Sequence, residues 1–233
     1  SPGSFPWPLI PDRLLSILSA AVLGFLLGLK HATDADHVVA ITTIVSRERS
    51  FHRAAWIGGM WGVGHSLTVL LVGGALVVFR IAMPPRVGLT LEFGVALMLI
   101  VLGFSNLRPA NASRPHSHDI PVRFNGIRPL IIGVVHGLAG SAAAALLVLA
   151  AIPDTMYALA YLFIFGIGTI AGMTLITAIL AVPSVYAADR VARLQSGIRL
   201  AAGALSLVFG IFIAREIIVN GGLFSDVTHW IPS

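Results

Sequence analysis

Six stretches of this sequence stay apolar for roughly 20 residues, long enough to carry a helix across a bilayer. They cover residues 14–45, 56–79, 87–104, 127–152, 155–182 and 197–219 of the 233. Hydrocarbon offers backbone N–H and C=O groups no partner, so such runs satisfy themselves as helices. Composition agrees: 57% of residues are hydrophobic and 11% charged, with mean hydropathy +0.92, whereas a soluble domain is about 25% charged. The reading is one all-α integral membrane protein, with the lipid bilayer as its first partner. Its net charge of +5 comes from fourteen Arg and one Lys. In a membrane protein that is a topology signal, and no basic-aromatic motif points to nucleic acid. Cysteine is absent, which excludes a disulfide framework and thiol redox chemistry. The start, SPGSFPWPLIPDR, lacks the basic n-region and small-residue cleavage site of a signal peptide.

The arginines set an orientation. Arg47, Arg49, Arg53, Arg108, Arg114, Arg123, Arg128, Arg190, Arg193 and Arg199 follow spans one, three and five. Only Arg13, Arg80, Arg86 and Arg215 lie on the other side. The positive-inside rule puts the first group in the cytoplasm and both termini outside. The one long polar loop, residues 105–126, is rich in Pro, Asn, Ser and Arg.

An internal repeat is also expected. GLKHATDADHVVAI (28–41) aligns with GVVHGLAGSAAAAL (133–146), GVGHSLTV in span two with GIGTIAGM in span five, and GLTLEFG in span three with GIRLAAG in span six. The offsets are 105, 104 and 109 residues, in order and nearly constant. Three spans is an odd number, so the halves lie oppositely in the membrane, a transporter signature with the substrate site near the midplane. The fold expected is six transmembrane helices as a 3+3 inverted repeat. Its parts are an outer N-terminal segment (1–21), a first repeat (22–104), a cytoplasmic loop (105–126), a second repeat (127–219) and an outer tail (220–233).

Within the first repeat, Lys30, His31, Asp34, Asp36 and His37 place five ionisable groups in eight residues of an apolar run. A charge at the bilayer centre costs at least about 2.5–3.5 kcal/mol. Lys30 can neutralise only one carboxylate. A divalent cation would neutralise both, with imidazoles completing its shell. On a straight helix His31, Asp34 and His37 share one ridge, and Asp36 points roughly 140° away from His31. Either the helix breaks here, with Thr33 and Asp34 capping the restart, or Asp36 only supports a ligand or the packing.

His65 and His136 each sit nine residues into their spans, about 13 Å deep at 1.5 Å per residue. The candidate metal ligands are therefore His31, Asp34, Asp36, His37, His65 and His136. Lys30, Thr33, Ser66 and Glu92 are candidate proton carriers or orienting groups. Plainer readings stand beside these: an ion-pair network with Lys30, buried histidines bonded to neighbouring helices, and Glu92 paired with Arg86. His116 and His118 fall in the polar loop, and His52 and His229 at span ends. Imidazole and carboxylate without thiolate suit Ni(II), Co(II), Zn(II), Fe(II) or Mn(II). Glycines four apart, such as Gly24/Gly28 and Gly133/Gly137, allow close helix packing, and GLAGSAAAA (137–145) predicts a tight approach of span four to span one.

The His31-x4-Asp36-His37 pattern resembles the signature of the nickel/cobalt transporter family, and Gly64-His65-Ser66 resembles its second motif. The resemblance implies a secondary permease for Ni(II) and Co(II) that needs His31, Asp36, His37 and His65. Longer members have eight spans and a Phe-Asp-Thr-rich motif missing here. HGLAGSAAA at His136 and FGIGTIAGM (165–173) are similar instead to the shorter, urease-accessory-type branch. The expectation is a multi-pass transporter of the cytoplasmic (inner) membrane, not an enzyme, without permanent cofactor or ATP-binding motif. Efflux through the same site and proton-coupled export without metal are the rivals. A thiol-disulfide carrier lacks its cysteines, and an intramembrane metalloenzyme lacks the H-E-x-x-H pattern.

Overall fold

The computed structural model describes residues 10–81, 83–108, 127–139, 152, 154–188, 192–225 and 227–230. Among them there are helices and no strand. These are α1 (Ile10–His31), α2 (Ala35–Val45), α3 (Phe51–Thr68), α4 (Gly74–Phe79), α5 (Pro85–Leu107), α6 (Ile127–Ala139), α7 (Thr155–Ala188) and α8 (Ala192–Val219). One π turn, Val69–Gly73, joins α3 to α4 as a continuous rod.

Four segments are long and apolar enough to cross a membrane: Phe51–Phe79, Pro85–Leu107, Thr155–Ala187 and Arg193–Val219. They coincide with expected spans two, three, five and six. Span one is instead two shorter apolar helices, Leu18–His31 and Ala35–Val45. Span four is described only over Ile127–Ala139, and its remainder lies outside the described residues. Large apolar side chains such as Leu71, Val101, Phe104, Val208 and Phe212 point outward, as a lipid-facing surface requires.

Span one breaks at Ala32–Asp34, where the chain makes a tight turn. Thr33 donates its amide and its hydroxyl to Lys30 O, at 2.8 and 2.6 Å, and Asp34 N–H donates to His31 O at 3.1 Å. These bonds satisfy carbonyls that a helix end would otherwise strand in apolar surroundings. Asp34 then takes the N-cap position of α2 in extended conformation, φ −61 and ψ 148, although its side chain does not bond to the helix.

Glycine seats set the packing. α1 runs parallel to α7: a Cβ on Gly28 would overlap Phe165 O and Thr169 N, and one on Gly168 would overlap Phe25 O. α6 runs parallel to α3 in the same manner, with Gly133 against Trp61 O and His65 N, and Gly64 against Leu130 O. α3 crosses α7 at Gly58 and Gly62, which meet Met173 O and Ile170. α5 and α8 are antiparallel, with Gly103 on Gly203 O and Leu207 N and Gly210 on Ala96 O and Ile100 N. The described glycines of α6 thus seat on α3, not on span one; residues 140–145 lie outside the described residues.

At one end of the bundle a polar knot is added to the glycine packing, where Gly203 seats on Asn106. Buried Asn106 donates to Thr43 O at 2.7 Å and Ser46 Oγ at 2.9 Å, and its Oδ1 accepts from Arg47 Nε at 2.9 Å. Arg199 donates to Asn106 O at 2.6 Å and Arg108 O at 2.8 Å. The knot ties α2 and the ends of α5 and α8 where the arginines gather.

Two outcomes follow from this packing. Gly28→Leu forces backbone from backbone and should lower stability by about 1–3 kcal/mol or more, read as a fall in melting temperature of the detergent-purified protein. Gly94→Leu, at a glycine whose Cβ meets nothing within 4 Å, should leave it unchanged. Asn106→Ala takes a bond from the buried Thr43 O and Ser46 Oγ and frees the exposed Arg47, which should cost about 1–3 kcal/mol in the same assay.

Candidate metal centre

The break between α1 and α2 brings both halves of the motif to one point. His31 ends α1 and projects toward α3, where its Nε2 lies 3.1 Å from His65 Nε2. Its other nitrogen, Nδ1, is 2.8 Å from Asp34 Oδ2. Asp34 is exposed and holds His31 in orientation.

Asp36 sits in the first turn of α2, where unpaired amides and the helix dipole favour an anion. Its Oδ1 accepts the His37 backbone N–H at 2.9 Å and faces His37 Nδ1 at 3.1 Å. Its Oδ2 faces His136 Nε2, from α6, at 2.8 Å. The break has turned Asp36 inward, where a straight helix would point it away. Only a carboxylate at this position reaches both imidazoles.

His37, His65 and His136 are almost fully buried, at 2%, 0% and 2% exposure. Their rings cluster with His31: centroids are 4.2 Å apart for His37–His136, 4.7 Å for His31–His37 and 5.2 Å for His37–His65. Two sets of three ligand atoms converge to within 4.8 Å of one another, from His31, His37 and His65 and from Asp36, His37 and His136. Among the described residues, His37 Nε2, His65 Nδ1 and His136 Nδ1 are buried without a hydrogen-bond partner, as is Trp61 Nε1 beside them.

The remaining expected residues take other places. Lys30 is exposed and forms no salt bridge among the described residues, so the network with Lys30 is not what holds the acids. Thr33 closes the turn. Ser66 donates to Gly166 O at 3.0 Å, tying α3 to α7. Glu92 accepts from Trp230 Nε1 at 2.9 Å, while Arg86 donates to Ser225 O at 3.1 Å and leaves Glu92 alone. His52 and His229 are exposed. His116 and His118 lie outside the described residues.

A cavity of about 510 Å³ opens onto the centre. Asp36, His37 and His136 line it along with Asp34, Glu92 and Glu216. Glu216 is held by Asn220 and Arg215, through Asn220 Nδ2 at 2.5 Å and Arg215 Nη1 at 3.6 Å. Glu216, Trp61 and Trp230 escape a reading of the sequence. A lone acid beside an arginine at a span's end looks like an ordinary terminal pair, and Trp230 is 138 residues from Glu92.

Such a constellation offers a cation imidazole nitrogens and one carboxylate, a borderline donor set that suits first-row transition metals. Comparison with known proteins points the same way. The family model NicO, described as high-affinity nickel-transport protein, matches residues 17–108. Urease accessory protein UreH of Bacillus sp. (strain TB-90) is 34% identical over 221 residues, 90% of this chain and 96% of that one. Chloroplast protein FOR GROWTH AND FERTILITY 2 of Arabidopsis thaliana is 24% identical over 84% of this chain, which spans 56% of that protein. The high-affinity nickel transport protein of Cupriavidus necator is 33% identical over 79 residues, 34% of this chain and 22% of that one. No solved structure matches. Identity of 34% across nearly the whole of two chains, with the nickel-transport model lying over the histidine motif, shows that this chain belongs to the NicO nickel-transport family, a family of transporters rather than enzymes, on its urease accessory UreH side.

Proposed function

We propose that this chain is a secondary permease that carries a divalent transition-metal cation, Ni(II) first and Co(II) second, through the His/Asp centre. One observation carries the reading: three buried histidines keep ring nitrogens without partners beside a carboxylate in the first turn of a broken helix. An unsatisfied buried polar atom costs about 1–3 kcal/mol. Four imidazoles gathered around one carboxylate, with ring nitrogens left over, are explained by a ligand that takes several of them, and a cation does so. His31, Asp36, His37, His65 and His136 bind it; Asp34 orients His31. The Cupriavidus relative's printed name supports nickel as cargo.

The fuller architecture is part of the same proposal: six spans in two inverted halves, residues 22–104 and 127–219, with outer segments 1–21 and 220–233 and a cytoplasmic loop 105–126. Matching glycine seats support it. Gly28 meets residues 165 and 169; Gly133, its counterpart 105 residues on, meets residues 61 and 65, each 104 residues earlier. Gly103 meets residues 203 and 207, and Gly210 meets 96 and 100, which gives the third pair an offset of 107 in place of 109. Halves related in this way exchange access by rocking about a fixed site. The arginine-rich end faces the cytoplasm of the inner membrane, both termini lie outside, and the cavity with Glu92 and Glu216 opens outward.

Radioactive nickel accumulation in cells expressing the chain tests the reading. Wild type should raise accumulation above vector, and Asp36→Asn and His65→Ala should return it to vector level. Accumulation below vector would replace uptake with efflux, and no response in either direction would leave proton-coupled export of another solute. Glu216→Gln should raise KM for nickel roughly threefold to tenfold with little change in maximal rate, because a carboxylate lining the cavity concentrates cations there without holding them at the centre.

A further inference from the structure

The two converging sets share one residue, and that residue has two faces. His37 turns Nδ1 to Asp36 Oδ1, 3.1 Å away, and leaves Nε2 buried without a partner. On the first side stands His136, bonded to the other oxygen of Asp36. On the second, His31 and His65 bring their Nε2 atoms to 3.1 Å of each other. Among the described residues the ligand atoms within 4.8 Å of one another form two trios, and His65 and His136, one from each, are the widest of the histidine pairs in contact, at 6.0 Å between centroids.

We propose that the centre is two overlapping metal sites that share His37, a cavity-side site of Asp36, His37 and His136 and a deep site of His31, His37 and His65, which a single divalent ion occupies in turn. This rests on the transporter reading and adds a path to it. The cavity is lined by all three members of the first site; of the second, His31 and the shared His37 reach its wall but His65 does not, so only the cavity-side site is complete at the wall, and it loads first. The sites exclude each other. A neutral imidazole has one lone pair to give, and two dications this close repel strongly.

The sites also differ in chemistry in a direction that suits passage. The first offers two nitrogens and a carboxylate, whose negative charge offsets part of the ion's lost hydration. The second offers three nitrogens and no charge. Movement between them is a ligand exchange: bonds to Asp36, His136 and His37 Nδ1 break as bonds to His31, His65 and His37 Nε2 form. The imidazoles are neutral in both sites, but His37 changes tautomer on the way: it gives up the Nε2 proton to water in the cavity and takes one at Nδ1, so the net proton count is unchanged. Sequential sites, each tight enough to fill and weak enough to empty, are what conduction through a selective path requires.

Co(II) binding to the purified full-length chain tests the proposal, with calorimetry giving stoichiometry and visible absorption the ligand set. Wild type should bind one Co(II). His65→Asn and His136→Asn should each still bind one, with spectra that differ from one another, because each retains the site that the other lacks. His37→Asn removes a ligand from both sites and should weaken binding by more than about 10–100-fold, the loss already seen when a group that merely orients a ligand is removed. All variants are compared only after gel filtration and melting show a folded protein. Two Co(II) per wild-type chain, or identical spectra or complete loss of binding in both His65→Asn and His136→Asn, would overturn the two-site arrangement and leave the permease reading standing. No binding of Co(II) or Ni(II) to the wild type would overturn both.

Discussion

The carboxylate of Asp36 is the constraint on which the rest of the centre depends. An anion inside an apolar bundle is expensive, and three groups offset it together: the amide of His37, the His37 ring and the His136 ring. Each arrives by a different route. The amide is available because a helix begins at Ala35, and the helix begins there because Thr33 and Asp34 close off the one before. His136 comes from α6, which reaches this depth because Gly133 and Gly137 let it lie directly on α3. Remove any of these and the carboxylate loses a partner on its buried side, leaving only the cavity side to solvate it.

Backbone-to-backbone seating explains how so many polar rings fit in so small a space. Gly28 seats α1 on α7, and Gly133 and Gly64 seat α6 and α3 on each other, without intervening side chains. The volume saved is then available to four imidazoles and Trp61. Ordinary leucine packing, with helices about 8–10 Å apart, would fill with apolar side chains the space that the rings from α1, α2, α3 and α6 occupy.

Much of this was legible in the residues. Apolar length alone marks the four long helices, and the unaffordable charge of the motif marks the first span as special. The helix break stood as one of two possibilities, because arithmetic at 100° per residue presumes a straight helix and so sends Asp36 away from His31. The choice between them depends on His136, a partner 100 residues distant. Asp34 shows the converse: a straight-helix ridge places it beside His31, and it is there, but the turn between α1 and α2 puts it there, and it bonds to that ring from an exposed position. Glu216 and Trp230 have no local pattern to reveal them, since their roles arise only where α5, α8 and the tail meet.

The polar knot around Asn106 bears on how such a molecule would work. The cavity lies toward the end of α5 that holds Glu92 and the end of α8 that holds Glu216; the knot lies at the opposite ends of the same two helices. One end is thus open around acids, and the other is bolted by hydrogen bonds among Asn106, Arg47, Arg199, Thr43 and Ser46. In a carrier that alternates, the conformation described is the one with its far door shut. Opening that door means separating directional bonds all at once, whereas the near side is held by fewer, those of Trp230 to Glu92 and Arg86 to Ser225 O that fasten the tail. The energy barrier of a transport cycle would therefore sit at the arginine end, some distance from the metal, and the residues that set its speed need never touch the ion.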